Sequence, residues 1–165
     1  MKGYRIAFIR HGMTQANLDG RYIGTTDLPL CREGADQLYE KIEKYDYPSV
    51  QKVYTSPLKR CKQTISILQP NRLVAEMPEL REMDFGKFEN KTADELMNDP
   101  DYEQFIKGGL DNPPPDGEST RDVINRCYEA LNIIISDMMY EGRTNVAGCT
   151  HGGLIMNMLA GFGVP

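Results

Sequence analysis

The chain has two histidines, His11 and His151, and each stands at the end of a stretch whose apolar pattern predicts a buried parallel strand. These stretches cover residues 4–9 and 144–149, and a turn-forming glycine follows each histidine. Ligands of open α/β sheets bind where the strands end. A neutral imidazole can act as a nucleophile, and a charged imidazole can bind an anion. We therefore interpret the two histidines as partners in one reaction, with two structural histidines as the alternative.

Two arginines occupy positions that suit a phosphate site. Arg10 directly precedes His11, and a planar guanidinium can hold two phosphate oxygens at once. Arg60 falls in the first turn or so of a predicted helix, where the helix dipole opposes a cation unless an anion binds nearby. For either arginine alone, a surface ion pair is the alternative. Together with the histidines they predict a local cationic pocket.

Glu82 is the predicted proton donor for such a pocket. It follows the third predicted strand, so it can also lie near the strand ends. Protonating a leaving oxygen and later activating water requires a pKa raised by burial or by nearby phosphate charge. Glu79 and Asp84 are local competitors for this role. The guanidinium charges and a helix N-terminus at Gly152 are expected to favour the uncharged form of one imidazole.

Alternating strands and helices predict the fold class. Strands are expected over residues 4–9, 50–54, 72–75 and 144–149. Helices are expected over residues 32–44, 58–68 and 154–159, and a long helix is expected to begin with a capping box of Ser119 and Asp122 and to end before Gly142. Ser56 and Pro57 suit the N-cap and first position of the second helix. The pattern predicts a three-layer α/β/α sandwich with a mainly parallel central sheet.

The long helix and the segment before it have distinct patterns. One apolar face of the helix is traced by Val123, Ile124, Cys127, Tyr128, Leu131, Ile134, Ile135 and Met138. Residues 83–117 have a looser pattern, with short helical pieces predicted over 92–97 and 102–107. We interpret residues 83–117 as a cap or lid.

Composition bounds the class of protein. The 165 residues are 40% hydrophobic and 26% charged, which predicts a single domain over residues 1–165. The net charge of −5 and the lack of a basic run argue against nucleic acid or membrane partners. A first strand so close to the start leaves no room for a signal segment, so a cytoplasmic location is expected. The cysteines predict reduced thiols without a metal or disulfide framework, and no cofactor is expected: Cys31, Cys61, Cys127 and Cys149.

Several short motifs together resemble the histidine phosphatase superfamily, also called the phosphoglycerate mutase-like family. They are RHGMTQAN at residues 10–17, GRYIG at 20–24, DLPL at 27–30, SPLKR at 56–60 and THGG at 150–153. The resemblance implies that His11 is transiently phosphorylated and that Glu82 serves as acid and base. It implies a phosphate pocket at Arg10, Arg60 and His151. The substrate-binding positions that it implies are Thr14, Asn17, Ile23, Gly24 and Gly152.

The resemblance favours the phosphatase branch over the mutase branch. EMDFGKFE at residues 82–89 and DGES at 116–119 are similar to phosphatase segments, and the stretch from Glu82 to His151 is shorter than in typical mutases. The expected partner is a small phosphorylated substrate, either α-ribazole 5'-phosphate of cobalamin synthesis or a sugar phosphate. A mutase that transfers phosphate between hydroxyls and a phospho-ligand binding module without turnover are the alternatives. A homodimer is compatible with the sequence.

Three positions depart from the family pattern. Met13 stands where the family often has Glu or Gln, which removes a polar group at the pocket mouth. Cys31 replaces the usual Thr or Ser at the N-cap of the first long helix, which is expected to weaken that cap. The sequence ends at Pro165, whereas relatives continue into a further connection and strand. Either the chain is a shortened form or one sheet edge is reduced, and an uncovered edge invites pairing with another chain.

Overall fold

A computed structural model describes residues 3–161, and one parallel sheet is the centre of that range. Its strands are β1 (Arg5–Arg10), β2 (Lys52–Thr55), β3 (Leu73–Glu76) and β4 (Asn145–Thr150). Their spatial order is β1-β4-β2-β3, and every pairing is parallel. The carboxyl ends of all four strands therefore meet at one edge of the sheet.

Helices connect the strands and flank the sheet. The α-helices are α1 (Gln15–Leu18), α2 (Arg32–Lys44), α3 (Lys59–Leu68), α4 (Ala93–Leu96), α5 (Pro100–Ile106), α6 (Thr120–Tyr140) and α7 (Gly152–Gly161). Two 3-10 turns lie at Pro78–Leu80 and Gly86–Phe88. Among the described helices, none is both long and apolar enough to cross a membrane.

Successive strand residues point to opposite faces of the sheet, and each face has its own buried cluster. On one face, Val53 of β2 shares a cluster with Ile65 of α3. On the other face, the neighbouring Tyr54 shares a cluster with Ile134 of α6 and Leu154 of α7. Helices thus cover both faces, which confirms the predicted α/β/α sandwich.

The predicted burial of the first strand is wrong. Residues 6–9 are half-buried, and Arg5 and Arg10 are exposed, because β1 lies at an edge of the described sheet. The central strand β4 is buried from Val146 to Thr150. An apolar run predicts a strand but does not predict its place in the sheet, since that place depends on which other strands pair with it.

The predicted start of α3 is also wrong, since Ser56 and Pro57 precede the helix, which begins at Lys59. The Lys59 amide donates to Oδ1 of Asp27 over 2.7 Å, so a carboxylate from a distant loop satisfies this helix end. The hydroxyl of Ser56 accepts the Leu58 amide over 3.4 Å, ahead of the helix, and lies 2.9 Å from Nε2 of His151. A contact between distant parts of the chain therefore replaces the local cap.

The start of the long helix is confirmed, and its buried face is narrower than predicted. Ser119 and Asp122 form a reciprocal capping box before α6. Val123, Cys127, Ile134 and Met138 are buried, whereas Tyr128 and Ile135 are exposed. Arg126 is buried on the same helix. The buried face of α6 thus includes the guanidinium of Arg126, which the apolar pattern did not predict.

Residues 83–117 pack around a small cluster of their own, formed by Phe88, Leu96 and Tyr102. Their function as a lid stays a prediction, as does the single-domain assignment over residues 1–165. Residues 162–165, which bear on the predicted loss of a further strand, lie outside the described residues.

All four cysteines are free thiols, as predicted, and the Cys31 sulfur accepts the Gly34 amide over 3.3 Å at the start of α2.

Candidate active site

The pairing of β1 with β4 brings the two histidines together. Arg10 pairs with Thr150 at the last step of the parallel ladder, so the next residue of each strand is a histidine. The His11 amide donates to the Thr150 carbonyl over 3.0 Å. The ring centroids of His11 and His151 lie 5.0 Å apart, with the planes inclined by 60°. Two residues 140 positions apart in the sequence therefore share one site at the carboxyl edge of the sheet.

Hydrogen bonding fixes the tautomer of His11. Its Nδ1 lies 2.6 Å from the carbonyl oxygen of Gly12, which can only accept, so Nδ1 carries the proton. The pKa of His11 is lowered to about 4, mainly by burial, which the bond to Gly12 opposes and the charges of Arg60 and Arg10 reinforce. The ring is therefore neutral near pH 7, and its Nε2 has a free lone pair.

His151 is fully buried and also neutral. Nε of Arg60 donates to its Nδ1 over 3.3 Å, which leaves the ring proton on Nε2, 2.9 Å from the Ser56 hydroxyl. Burial, followed by the charge of Arg60, lowers the pKa of His151 to about 2. The sequence predicts one uncharged imidazole, whereas both pKa values are lowered, with burial as the largest cause. The sequence-based prediction names the arginines and the helix N-terminus as the cause, and burial exceeds the contribution of the arginines.

Arg60 lies at the centre of the site and is 1% exposed. Its Nη2 donates to the Gly24 carbonyl over 2.7 Å, and its Nη1 donates to the Thr26 carbonyl over 2.8 Å. Arg60 is the second residue of α3, as expected. Loop carbonyls and His151 thus hold the guanidinium in a fixed plane, which is the arrangement that recognition of a tetrahedral anion requires.

Glu82 is buried, with its carboxylate directed toward the start of α7. Its Oε2 accepts the Gly153 amide over 3.0 Å and its Oε1 accepts the Met83 amide over 2.9 Å. Burial raises the pKa of Glu82, although the two amides and the charges of Arg60 and Arg126 oppose the rise. This direction suits an acid that must hold a proton.

The two local competitors of Glu82 have other contacts. Asp84 accepts the Gly86 amide over 2.9 Å through its Oδ1. Glu79 lies in the 3-10 turn Pro78–Leu80 and is half-buried. Of the three acidic residues, Glu82 is the one whose carboxylate contacts the start of α7, directly after His151.

Arg126 supports the backbone beneath Glu82 and was missed by the sequence analysis. Its guanidinium donates to the carbonyls of Glu79, Arg81 and Glu82 over 3.0, 2.7 and 3.3 Å. It also pairs with Glu118 at 2.7 Å. A signal was available, because Arg126 falls three residues after Val123, on the face that α6 buries. A cation at a core position usually has buried acceptors.

Comparison with known proteins identifies the family. A model described as Histidine phosphatase superfamily (branch 1) matches residues 6–163. The chain belongs to this superfamily. The chain is 30% identical over 133 residues to the protein named "Probable phosphoglycerate mutase GpmB" from Cronobacter sakazakii. The match covers 78% of the chain and 61% of the relative, so the chain spans about three fifths of the length of that protein.

Solved structures share the fold of this chain. The alpha-ribazole phosphatase from Shigella flexneri has a TM-score of 0.82 and 28% identity, with 97% of this chain and 80% of that chain covered. A phosphoglycerate mutase from Bacillus anthracis has a TM-score of 0.83 and 21% identity, with 96% and 79% covered. The second likeness concerns the fold alone, and it supports the phosphoglycerate mutase-like architecture.

The remaining residue predicted for the phosphate pocket is Arg10, which is exposed next to α7. A Cβ added to Gly152 would lie 3.2 Å from Nε of Arg10, so glycine lets the guanidinium approach the helix N-terminus. Arg10, His11 and Asn17 line one cavity of about 430 Å³, together with Met13. The cavity opens beside His11 and places these residues where a ligand can reach them.

The other residues expected to bind substrate lie at the start of α1 and in the loop after it. Thr14 is buried, and its hydroxyl is 3.0 Å from Oδ1 of Asn17 in a capping box at the start of α1. The hydroxyl of Thr14 is thus engaged in holding Asn17. Ile23 is half-buried in the loop just before Gly24. Gly24 is buried and contacts Arg60, as described above.

Residues 3–161 contain no cluster of three or more His, Cys, Asp or Glu side chains arranged to hold a metal ion. The polar groups that converge in the site are two imidazoles, two guanidiniums and one carboxyl group. This set can bind a tetrahedral anion, supply a nitrogen nucleophile and transfer one proton.

Proposed function

We propose that this chain is a metal-independent phosphomonoester hydrolase that works through a phosphohistidine at His11. The observation that carries the proposal is the 2.6 Å contact between Nδ1 of His11 and the Gly12 carbonyl. It commits one nitrogen to the backbone, while a pKa of about 4 keeps the other nitrogen unprotonated near neutral pH. The nucleophile is therefore ready before substrate binds.

In the first step, the Nε2 lone pair of His11 attacks phosphorus, and the bond from phosphorus to the ester oxygen breaks. Protonated Glu82 gives its proton to the departing oxygen, so the alcohol leaves neutral and Glu82 becomes a carboxylate. The buried guanidinium of Arg60 and the exposed one of Arg10 balance the charge on the phosphoryl oxygens.

In the second step, water attacks the phosphorus of phosphohistidine, and the bond between Nε2 and phosphorus breaks. The carboxylate of Glu82 accepts the proton of the water, which restores its protonated form. His11 regains its lone pair, and inorganic phosphate leaves. One carboxyl group with a pKa raised by burial thus serves as acid and then as base.

The substrate we propose is a small phosphomonoester, either α-ribazole 5'-phosphate or a sugar phosphate. The likeness to the alpha-ribazole phosphatase from Shigella flexneri supports this class, at 28% identity over nearly the whole chain. The EMDFGKFE and DGES segments favour the same branch. A mutase is the second candidate, because the chain is 30% identical to the protein named "Probable phosphoglycerate mutase GpmB".

The test is phosphate release from a panel of phosphomonoesters in the presence of EDTA, with His11→Ala as the control. The panel includes α-ribazole 5'-phosphate, a sugar phosphate and 3-phosphoglycerate. We expect EDTA-resistant release that the variant loses, and acid-labile phosphate on the wild-type chain alone. Formation of 2-phosphoglycerate without free phosphate supports the mutase. Saturable binding without turnover across the panel supports a phospho-ligand binding module and contradicts the hydrolase.

A further inference from the structure

Glu89 ends the EMDFGKFE segment and has no part in the chemistry described so far. It follows the 3-10 turn Gly86–Phe88 and is half-buried. Its two carboxylate oxygens accept five hydrogen bonds. The donors are the amides of Gly24 at 2.8 Å, Thr25 at 3.1 Å, Thr26 at 3.3 Å and Phe85 at 3.2 Å, and the Thr26 hydroxyl at 2.6 Å. One side chain from residues 83–117 therefore gathers three successive amides of the loop that contacts Arg60.

The opposite side of this loop orients Arg60. In a trans peptide unit the N–H and C=O point in opposite directions. The amide of Thr25 and the carbonyl of Gly24 belong to the same peptide unit, so anchoring the amide to Glu89 directs the carbonyl away from Glu89. That carbonyl accepts Nη2 of Arg60 over 2.7 Å. The Thr26 carbonyl accepts Nη1 of Arg60 over 2.8 Å. Glu89 and Arg60 thus bind the two sides of one short loop.

The loop packs closely against Met83 and Glu89 at Gly24. A Cβ on Gly24 would lie 1.8 Å from the Met83 carbonyl and 2.6 Å from Oε1 of Glu89. If Glu89 loses its charge, the amides of residues 24–26 have a weaker hydrogen-bond acceptor. The loop is then expected to shift. Any such movement displaces the two carbonyls that hold the guanidinium plane.

We propose that Glu89 is a positioning residue that sets the guanidinium plane of Arg60 through the loop at residues 24–26. The proposal rests on the proposed phosphate site. Glu89 acts on the phosphoryl group only through Arg60, and it makes residues 83–117 part of the anion site. Loss of the Glu89 carboxylate therefore weakens phosphate binding and lowers turnover, because the Arg60 guanidinium is no longer held in place.

The main test compares Glu89→Gln with Glu95→Gln. Glu95 is the matched control, because its carboxylate also accepts a backbone amide, that of Thr92 at 2.8 Å, in the same segment. Calorimetry measures the Kd for inorganic phosphate, and hydrolysis of para-nitrophenyl phosphate measures kcat and KM. We expect Glu89→Gln to weaken phosphate binding tenfold or more and to lower kcat/KM tenfold or more. We expect Glu95→Gln to stay within twofold of wild type in both measurements.

A double-mutant cycle with Arg60→Lys separates positioning from a general effect on folding. Residues that act as one unit do not add their losses. We expect Glu89→Gln to change phosphate affinity by no more than twofold in the Arg60→Lys background. An equal loss in both backgrounds, or Glu89→Gln phosphate affinity within twofold of wild type, overturns the proposal.

A second variant covers the case in which Glu89→Gln does not fold. Thr26→Val removes the 2.6 Å hydroxyl contact with Glu89 and preserves the side-chain shape. We expect it to weaken phosphate binding two- to fivefold, and unchanged binding overturns the proposal. The wild-type measurements alone test the proposed function. If the wild type binds phosphate but hydrolyses no substrate, the hydrolase proposal is rejected, and the effect of Glu89→Gln on phosphate binding can still be compared. A wild-type chain that binds no phosphate removes both.

Discussion

The Nε–H of Arg60 donates to Nδ1 of His151 over 3.3 Å, and neither side chain is more than 1% exposed. This contact assigns the ring proton of His151 to Nε2 and joins the helix α3 to the end of β4. The Arg60 guanidinium and the His151 imidazole are compatible at this distance because the imidazole stays neutral. Burial lowers the pKa of His151 to about 2, and the charge of Arg60 is the next cause.

The Ser56→Ala variant tests the other end of this ring. Nε2 of His151 lies 2.9 Å from the Ser56 hydroxyl, and the weaker sulfur acceptor of Cys61 lies 3.5 Å away. Because a buried N–H loses its main acceptor, we expect a loss of about 1–3 kcal/mol in the free energy of unfolding in urea. Ser66→Ala is the control, since that hydroxyl is exposed and contacts its own helix. Equal losses in the two variants contradict the assigned contact.

The Glu82→Gln variant separates the two chemical steps. Para-nitrophenolate leaves without needing a proton, so phosphorylation of His11 by para-nitrophenyl phosphate continues in the variant. Hydrolysis of phosphohistidine then lacks its base, and we expect a loss in steady-state kcat of roughly 100-fold or more. Rapid quench followed by mass measurement should show phosphorylated protein accumulating. Asp84→Asn is the control and should not accumulate it. A Glu82→Gln chain without phosphorylated protein or with unchanged turnover contradicts the assignment.

Stability should fall as the pH falls below neutral. The pKa values of His11 and His151 drop from 6.5 to about 4 and about 2 on folding, so below pH 6.5 the unfolded chain binds more protons. The raised pKa of Glu82 acts in the opposite direction, since it adds stability as the pH falls toward its unfolded value of 4.5. Two histidines outweigh one carboxyl group, and we expect a net loss of about 2–4 kcal/mol between pH 7 and pH 5.

Urea unfolding at the two pH values measures this loss. His11→Ala removes one of the two histidine contributions, so its unfolding free energy should depend less steeply on pH than that of the wild type. A wild-type stability that stays constant or rises between pH 7 and pH 5 contradicts the neutral, buried state of both rings.

The Gly153→Ala variant should separate activity from stability. A Cβ at Gly153 would lie 2.6 Å from Oε1 of Glu82, so the carboxyl group must shift. We expect kcat to fall roughly 10- to 100-fold, because a proton donor displaced by about 1 Å no longer reaches the leaving oxygen. The unfolding free energy should change by no more than about 1 kcal/mol, since alanine favours the helix. Met156→Ala, exposed on the same helix α7, should retain activity. Unchanged kcat in Gly153→Ala contradicts the position of Glu82.

Residue type and strand-end spacing were sufficient to predict the parallel α/β/α fold and to place His11, His151 and Arg60 among the candidate site residues. These features are local or periodic, so a linear pattern contains them. The pattern did not predict that β1 lies at a sheet edge, because pairing partners come from distant parts of the chain. It also could not assign Ser56, whose hydroxyl suits a helix cap by local rules and contacts His151 in the folded chain.

The sequence by itself determined which groups are available, namely two imidazoles, two candidate guanidiniums and an acidic residue after the third strand. Only the tertiary structure decided their states. The tautomer of His11 depends on a carbonyl 2.6 Å away, and both histidine pKa values depend first on burial, which no residue spacing measures. The spacing of Arg126 on α6 indicates that it is buried, but only the tertiary structure shows what Arg126 and Glu89 bind. Each binds backbone groups of distant segments, and every residue has such groups.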